Sequence, residues 1–160
     1  MLSIKIVCVG KLKEKFYTDA SAEYKKRLSA YCKLEIDELP EEKRSGIISE
    51  GMISTALLKE AELIKAHIPA GSKIISMCIE GKKLSSEGLS EVINSFAVSG
   101  ASKLCFIIGG SDGLHKSIKD MSDMRLSMSD MTFPHHLARI MLLEQIYRGF
   151  KIIEGGKYHK

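Results

Sequence analysis

The stretch KLCFIIGGSDG, residues 103–113, decides the fold. Its first six residues form a nearly continuous apolar run, which is typical of a central parallel strand that is covered on both faces. Three glycines follow within five positions, at 109, 110 and 113. Because glycine adopts positive φ and lets a ligand approach the backbone closely, the turn is a candidate binding loop. Taken alone, it is better interpreted as a plain tight turn.

The motifs of several common enzyme classes are absent. No GxGxxG pattern and no GK[ST] pattern follows a strand, which argues against ordinary nicotinamide-dependent and nucleoside-triphosphate-dependent enzymes. HExxH and GxSxG patterns are also missing. The neighbours His135 and His136 would point to different sides of a helix, unlike two zinc ligands at positions i and i+4. We therefore predict no metal site.

Strands and helices alternate on both sides of residues 103–113. The patterns predict strands at 4–9, 32–39, 73–79, 103–108 and 125–128, and helices at 16–31, 47–68, 85–98, 114–122 and 133–151. This alternation indicates an α/β domain with a mainly parallel sheet flanked by helices. A chain of 160 residues fits one domain, residues 1–160.

Composition sets weaker limits on function and location. The net charge of +4 is compatible with an RNA partner, and equally with a charge that serves solubility alone. The four cysteines form no CxxC pair, so we predict core-filling thiols rather than disulfides or zinc ligands. No signal peptide or bilayer-spanning apolar run is visible, and we expect a soluble, cytoplasmic protein.

Three loops are candidate binding loops, namely those after the third, fourth and fifth predicted strands. Ligands of open α/β sheets bind beyond the carboxyl ends of the strands. The loop after the fifth strand, MSDMTFPH at 128–135, leads into a helix whose first amides lack helical partners. A simple N-cap by Thr132 is the better local interpretation of that loop. Tyr147 and Tyr158, close to basic residues, could stack on an unpaired base, although a solvated charged surface accounts for them too.

An ordered set of segments carries a more specific signal. The segments are VGKLK at 9–13, GKKLSSE at 81–87, FIIGGSDGL at 106–114, TFPH at 132–135 with Arg139, LEQIYR at 143–148 and YHK at 158–160. In this order and spacing they resemble the bacterial ribosomal RNA pseudouridine N3-methyltransferases, the RlmH type within the SPOUT class. Each segment alone is weak, but together they span nearly the whole chain.

The resemblance implies a fold, a cofactor and partners. It implies a deep trefoil knot in the C-terminal third, and S-adenosylmethionine as the methyl donor. It implies a homodimer with the last helix in the interface, acting on 23S ribosomal RNA in the ribosome, with neither DNA nor a membrane as partner. Carried over position by position, the cofactor contacts fall at Met77, Gly109, Met128, Ser129, Asp130, Met131, Thr132 and Phe133.

The resemblance also implies a reaction, the methylation of N3 of a pseudouridine in the large subunit. The N3 proton must leave, which requires a base or stabilisation of the anion. We predict His159 and His135 as candidate bases, with Arg139 as a further catalytic residue that holds the anion. Arg148, Tyr158 and Lys157 are the predicted RNA-binding residues. The alternative is a non-catalytic RNA- or ribosome-binding module, which would not need the cofactor loops.

Overall fold

Five strands alternate with five helices in the computed structural model, which describes residues 1–42, 46 and 48–155. The strands are β1 (Leu2–Val9), β2 (Cys32–Leu39), β3 (Lys73–Lys83), β4 (Lys103–Ile108) and β5 (Met124–Ser127). The helices are α1 (Lys15–Leu28), α2 (Glu50–His67), α3 (Ser86–Val98), α4 (Lys116–Met121) and α5 (His135–Ile153). None of the described helices is long and apolar enough to cross a lipid bilayer.

The strands form one sheet in the order β2-β1-β4-β3-β5, and every neighbouring pair is parallel. The predicted parallel sheet flanked by helices is therefore confirmed. The apolar run of β4 lies in the centre, where Cys105, Phe106 and Ile107 are fully buried. Because all strands are parallel, their carboxyl ends meet at one edge of the sheet, and that edge holds the three candidate loops.

Helices cover both faces of the sheet. Side chains alternate between the faces along each strand, so each face presents apolar residues that a layer of helices buries. On one face Ile6 packs with residues of α1, α3 and α5, such as Leu142. On the other face Val7 packs with residues of α2 and α4, such as Ile118. All four cysteines are free, and Cys8, Cys32 and Cys105 are buried, whereas Cys78 is half-buried.

Several helix boundaries differ from the predicted ones because of capping. Helix α2 begins at Glu50 rather than at 47, since the Ser49 hydroxyl accepts a hydrogen bond from the Met52 amide. Helix α5 begins at His135, with Pro134 at the N-cap and no side-chain hydrogen bond there. The predicted N-cap by Thr132 is therefore wrong.

Strand β3 is four residues longer than predicted, and the extension is involved in pairing with β5. Leu126 of β5 is the register partner of both Met77 and Lys82, with an irregularity between these two residues. A Cβ on Gly81 would lie 2.8 Å from backbone atoms of Arg125 and Leu126. The glycine thus allows the backbone of β3 to lie directly against that of β5, at a place where a larger side chain would not fit.

Candidate functional site

A cavity of about 760 Å³ lies beyond the carboxyl ends of β4 and β5, beside residues 77–80 of β3 and the start of α5. This volume is in the range of small-molecule and cofactor sites, and the position is the one where open α/β sheets bind ligands. Of the eight residues predicted to contact a cofactor, the cavity is lined by Met77, Gly109, Met128, Ser129, Met131, Thr132 and Phe133. Asp130 is not in the lining, and its carboxylate instead pairs with Lys83 at 2.7 Å.

The glycine turn after β4 forms one wall of the cavity. The amide of Gly113 donates a hydrogen bond to the carbonyl of Gly110 at 3.0 Å, and Gly113 has a φ of +79°. A Cβ on Gly109 would overlap the carbonyl group of Gly113, which is backbone and cannot move aside alone. The turn is therefore limited to glycine at position 109 for steric reasons.

Glu41, just after β2, supports the glycine turn. Its Oε1 atom accepts hydrogen bonds from the amide of Ser111, at 2.9 Å, and from the Ser111 hydroxyl. The same oxygen would lie 2.7 Å from a Cβ on Gly110. Sequence reasoning missed this contact, because an acid in a polar loop carries no local signal of a partner 70 residues away.

The loop between β5 and α5 is shaped by its own hydroxyl groups. Ser127 donates a hydrogen bond to the carbonyl of Ser129 at 3.0 Å, and the Ser129 hydroxyl accepts one from the amide of Met131 at 3.0 Å. Ser127 is buried, whereas the Met131 side chain is 74 % exposed. These bonds curl the loop beside the cavity, and Met131, Thr132 and Phe133 are in its lining.

His135 is the histidine of the cavity lining, and it lies against His136. The two ring centroids are 4.2 Å apart in an edge-to-face arrangement, and both Nε2 atoms are buried without a hydrogen-bond partner. Burial lowers the pKa of His135 most and the neighbouring His136 lowers it further, while Glu41 opposes this and Arg139 adds the smallest lowering. The shift favours the neutral ring, which is the form that can accept a proton.

Arg139 lies one turn after His135, and its side chain is buried. Its Nη1 atom forms an ion pair with Glu38 Oε2 at 2.5 Å, and its Nη2 atom donates to the carbonyl of Gly10 at 2.9 Å. The amide of Leu12 donates to the same carboxylate oxygen at 2.9 Å. Burial disfavours the ionised form of Glu38, but the hydrogen bonds from Leu12 and Arg139 outweigh it, so the pKa of Glu38 is lowered. These contacts tie the end of β1 to α5.

The remaining predicted site residues do not meet the cavity within the described part of the chain. Arg148 pairs with Glu144, with the nearest atoms 2.7 Å apart, and lies about 20 Å along α5 from His135 at a helical rise of ~1.5 Å per residue. Lys157, Tyr158 and His159 lie outside the described residues. Within the described ranges, no three His, Cys, Asp or Glu side chains form a group that could hold a metal ion.

Comparisons with known proteins agree with this geometry. A family model described as "Predicted SPOUT methyltransferase" matches residues 2–159. A Methanococcus maripaludis protein named "Putative ribosomal RNA large subunit methyltransferase H" is 50 % identical over 159 residues, which cover 99 % of this chain and all of that protein.

A solved structure shows the same fold. It is described as a probable methylase family protein from Haemophilus influenzae, and it superposes with a TM-score of 0.55 at 15 % identity, covering the whole of this chain and 72 % of that one. The match of the family model over nearly the whole length, together with the 50 % identical relative, shows the family. The chain belongs to the SPOUT methyltransferases.

Proposed function

We propose that this protein transfers the methyl group of S-adenosylmethionine to N3 of a pseudouridine in 23S ribosomal RNA of the large subunit. The observation that carries the proposal is the cavity of about 760 Å³, on which three loops chosen from the sequence converge. The name of the 50 % identical relative supports a large-subunit ribosomal RNA substrate. An RNA substrate in the ribosome also supports a cytoplasmic location.

The lining of the cavity fits S-adenosylmethionine. Met77, Ile108 and Leu126 supply apolar contact for a flat ring, while the glycine turn and the loop of residues 128–133 offer backbone donors and acceptors. We expect these residues to hold the cofactor, which supplies an activated methyl group when it is bound. The cost of adding a Cβ at position 109 is consistent with a turn kept small for a closely approaching ligand.

The protein itself aligns the two reactants and accepts one proton, that of N3. Holding the two reactants in line supplies up to ~7–11 kcal/mol in well-aligned systems. His135 lines the cavity and its lowered pKa favours the neutral ring, so it is positioned to accept the N3 proton. His159 is the other candidate base. Arg139 was predicted to hold the anion, but it is buried, paired with Glu38 and Gly10, and absent from the cavity lining. We therefore assign it a supporting role instead, since it holds the turn next to His135.

We further propose that the C-terminal third forms the deep trefoil knot. Membership of the family supports this, and Leu126 of β5 is the register partner of both Met77 and Lys82, with an irregularity of β3 between these two residues. The close approach of Gly81 to Leu126 marks the point where the two strands are in direct contact. Residues of both strands, such as Met77 and Leu126, line the same cavity.

We also propose that the protein acts as a homodimer with α5 in the interface. Helix α5 packs on α1 and α3, and every residue from 135 to 152 is buried or half-buried. A second cavity of about 520 Å³ lies beside this helix, with Met141 and Gln145 in its lining. A second copy of the chain would cover this face. Arg148, Tyr158 and Lys157 would then be available for RNA from either subunit.

Calorimetric titration of the purified protein with S-adenosylmethionine, with its mass in solution measured in parallel, tests the proposal. We expect saturable binding by a dimer, followed by transfer of one radiolabelled methyl group to large ribosomal subunits that lack it. Digestion of the RNA and mass spectrometry should place that group on a pseudouridine. A methyl group on another nucleotide would refute the target. Absence of binding, with or without ribosomes, would refute the enzyme and favour the RNA-binding module.

A further inference from the structure

The turn after β1, residues 10–13, is held from four directions. The Gly10 amide donates to the Leu39 carbonyl at 2.7 Å, and the Gly10 carbonyl accepts from Arg139 at 2.9 Å. The Leu12 amide donates to Glu38 at 2.9 Å, and the Leu12 side chain is 8 % exposed. A surface turn with this many buried contacts has a fixed conformation, so whatever it presents to solvent is presented in a fixed place.

The turn presents two lysines. Lys11 and Lys13 flank the buried Leu12, and both side chains are exposed. Lys11 attracts Glu38 through space, but in the described residues neither ammonium group lies within 4.0 Å of a carboxylate. The carboxylate of Glu38 is already committed to Arg139 at 2.5 Å. Two cations therefore stand side by side on a rigid support with their charge uncompensated at short range.

The lysine pair follows a glycine that lies against a residue of the cavity lining. A Cβ on Gly10, the residue before Lys11, would be 3.0 Å from Nε2 of His135, and His135 lines the cavity. The turn and the cavity belong to the same edge of the sheet, since β1, β3, β4 and β5 all end there. An RNA strand that delivers a base to the cavity would bring its phosphates to this edge of the sheet.

We propose that Lys11 and Lys13 bind two phosphates of the RNA strand that enters the cavity, and so position the target nucleotide. This inference rests on the proposed function. Phosphate contacts fix the register of a protein on nucleic acid without reading sequence. A cation pair on a fixed turn binds with a smaller entropic cost than two freely moving lysines. The buried Arg139–Glu38 pair is, in this view, the support of an RNA-contacting turn.

The test compares Lys11→Gln/Lys13→Gln with Lys25→Gln/Lys26→Gln. The control lysines are equally exposed, lie in the last turn of α1, and make no short ion pair among the described residues. The rate of methyl transfer to large subunits is measured over a series of subunit and salt concentrations, and S-adenosylmethionine affinity is measured separately. Each phosphate contact on a single strand contributes about 0.7 to the slope of log affinity against log salt.

We expect the Lys11/Lys13 variant to raise KM for the subunits roughly tenfold near 0.15 M salt and to flatten the salt slope by about 1.4, for two contacts. Its kcat and cofactor affinity should match those of the wild type. The Lys11→Arg/Lys13→Arg variant should have the KM of the wild type, and the control Lys25→Gln/Lys26→Gln should change KM and the salt slope little. An unchanged KM, or equal effects in both glutamine variants, would overturn the inference. If the wild type methylates no subunit, the proposed function fails instead, and sedimentation of both variants with large subunits still decides whether the lysines bind RNA.

Discussion

Replacing Glu38 by glutamine keeps the shape of the side chain and removes the charge that Arg139 faces. The Arg139 side chain is 2 % exposed and that of Glu38 is 32 % exposed. Breaking a fully buried ion pair by removing one partner costs about 3–5 kcal/mol. Water reaches a third of the Glu38 side chain and weakens the pair, so we reduce this cost to about 2–3 kcal/mol. At ~2–4 °C per kcal/mol for a domain of this size, the melting temperature should fall by roughly 4–12 °C.

Differential scanning calorimetry of Glu38→Gln at pH 7.5 measures this loss, with Glu23→Gln as control. Glu23 pairs with Arg27 on the exposed surface of α1 at 3.0 Å, and such pairs contribute about 0.2–0.5 kcal/mol. A melting temperature for Glu38→Gln no lower than that of the control would refute the reasoning. In the Glu38→Gln background, Arg139→Met should recover part of the loss, because it removes the unpaired buried charge.

The same substitution predicts a pH dependence. Because the pKa of Glu38 is lower in the folded protein than its ordinary value, its stabilising contribution is fully present above the ordinary glutamate pKa. The contribution is lost as the pH falls through the folded-state pKa. The difference in stability between wild type and Glu38→Gln should therefore shrink on acidification, as urea titrations at successive pH values would measure. A difference that stays constant down to acid would contradict this account.

Three further substitutions or treatments test the cavity. Gly109→Ala should weaken S-adenosylmethionine binding at least tenfold in calorimetry, because its Cβ would overlap Gly113. The control Gly51→Ala, on an open helix surface, should bind the cofactor normally. Normal binding by Gly109→Ala would refute the loop assignment. If His135 is the base, the acid limb of the kcat profile lies below the ordinary pKa of histidine, and His135→Gln should remove that limb. An unchanged profile would exclude the role. Of the four cysteines, Cys78 alone lines the cavity, so a maleimide should label it first and S-adenosylmethionine should protect it. Equal labelling with and without the cofactor would contradict this.

The central elements could be predicted from local pattern. Strand β4 has the predicted bounds, 103–108, because an uninterrupted apolar run that stops at two glycines is typical of a buried strand ending in a turn. The end of β3 could not be predicted. Lys82 and Lys83 look like the start of a polar loop, and they are strand residues only because Leu126 and Ser127 pair with them from 44 residues further along the chain. Periodicity contains no information about such a distant partner.

The functional site could likewise be predicted where the signal is local, and not where it depends on a distant partner. The three loops could be predicted because each follows a strand with a clear local pattern, and the resemblance pointed to the same segments. Glu38 was missed as a functional position, because along β2 it reads as one more polar residue in an alternating strand. Its importance comes from Arg139, which is 101 residues away. Glu41 was missed for the same reason, since its partner Ser111 is 70 residues away.

The late position of α5 in the chain has a consequence for biosynthesis. α5 closes one face of the sheet, where Leu142 and Ile146 pack with Ile6 and Phe106. These strand residues precede it by many positions, so their apolar side chains stay in contact with water or chaperones until α5 has been translated. β1 must likewise wait for β4, since Ser3 pairs with Lys103. Folding therefore has to follow translation of nearly the whole chain, with slow closure expected from such distant contacts.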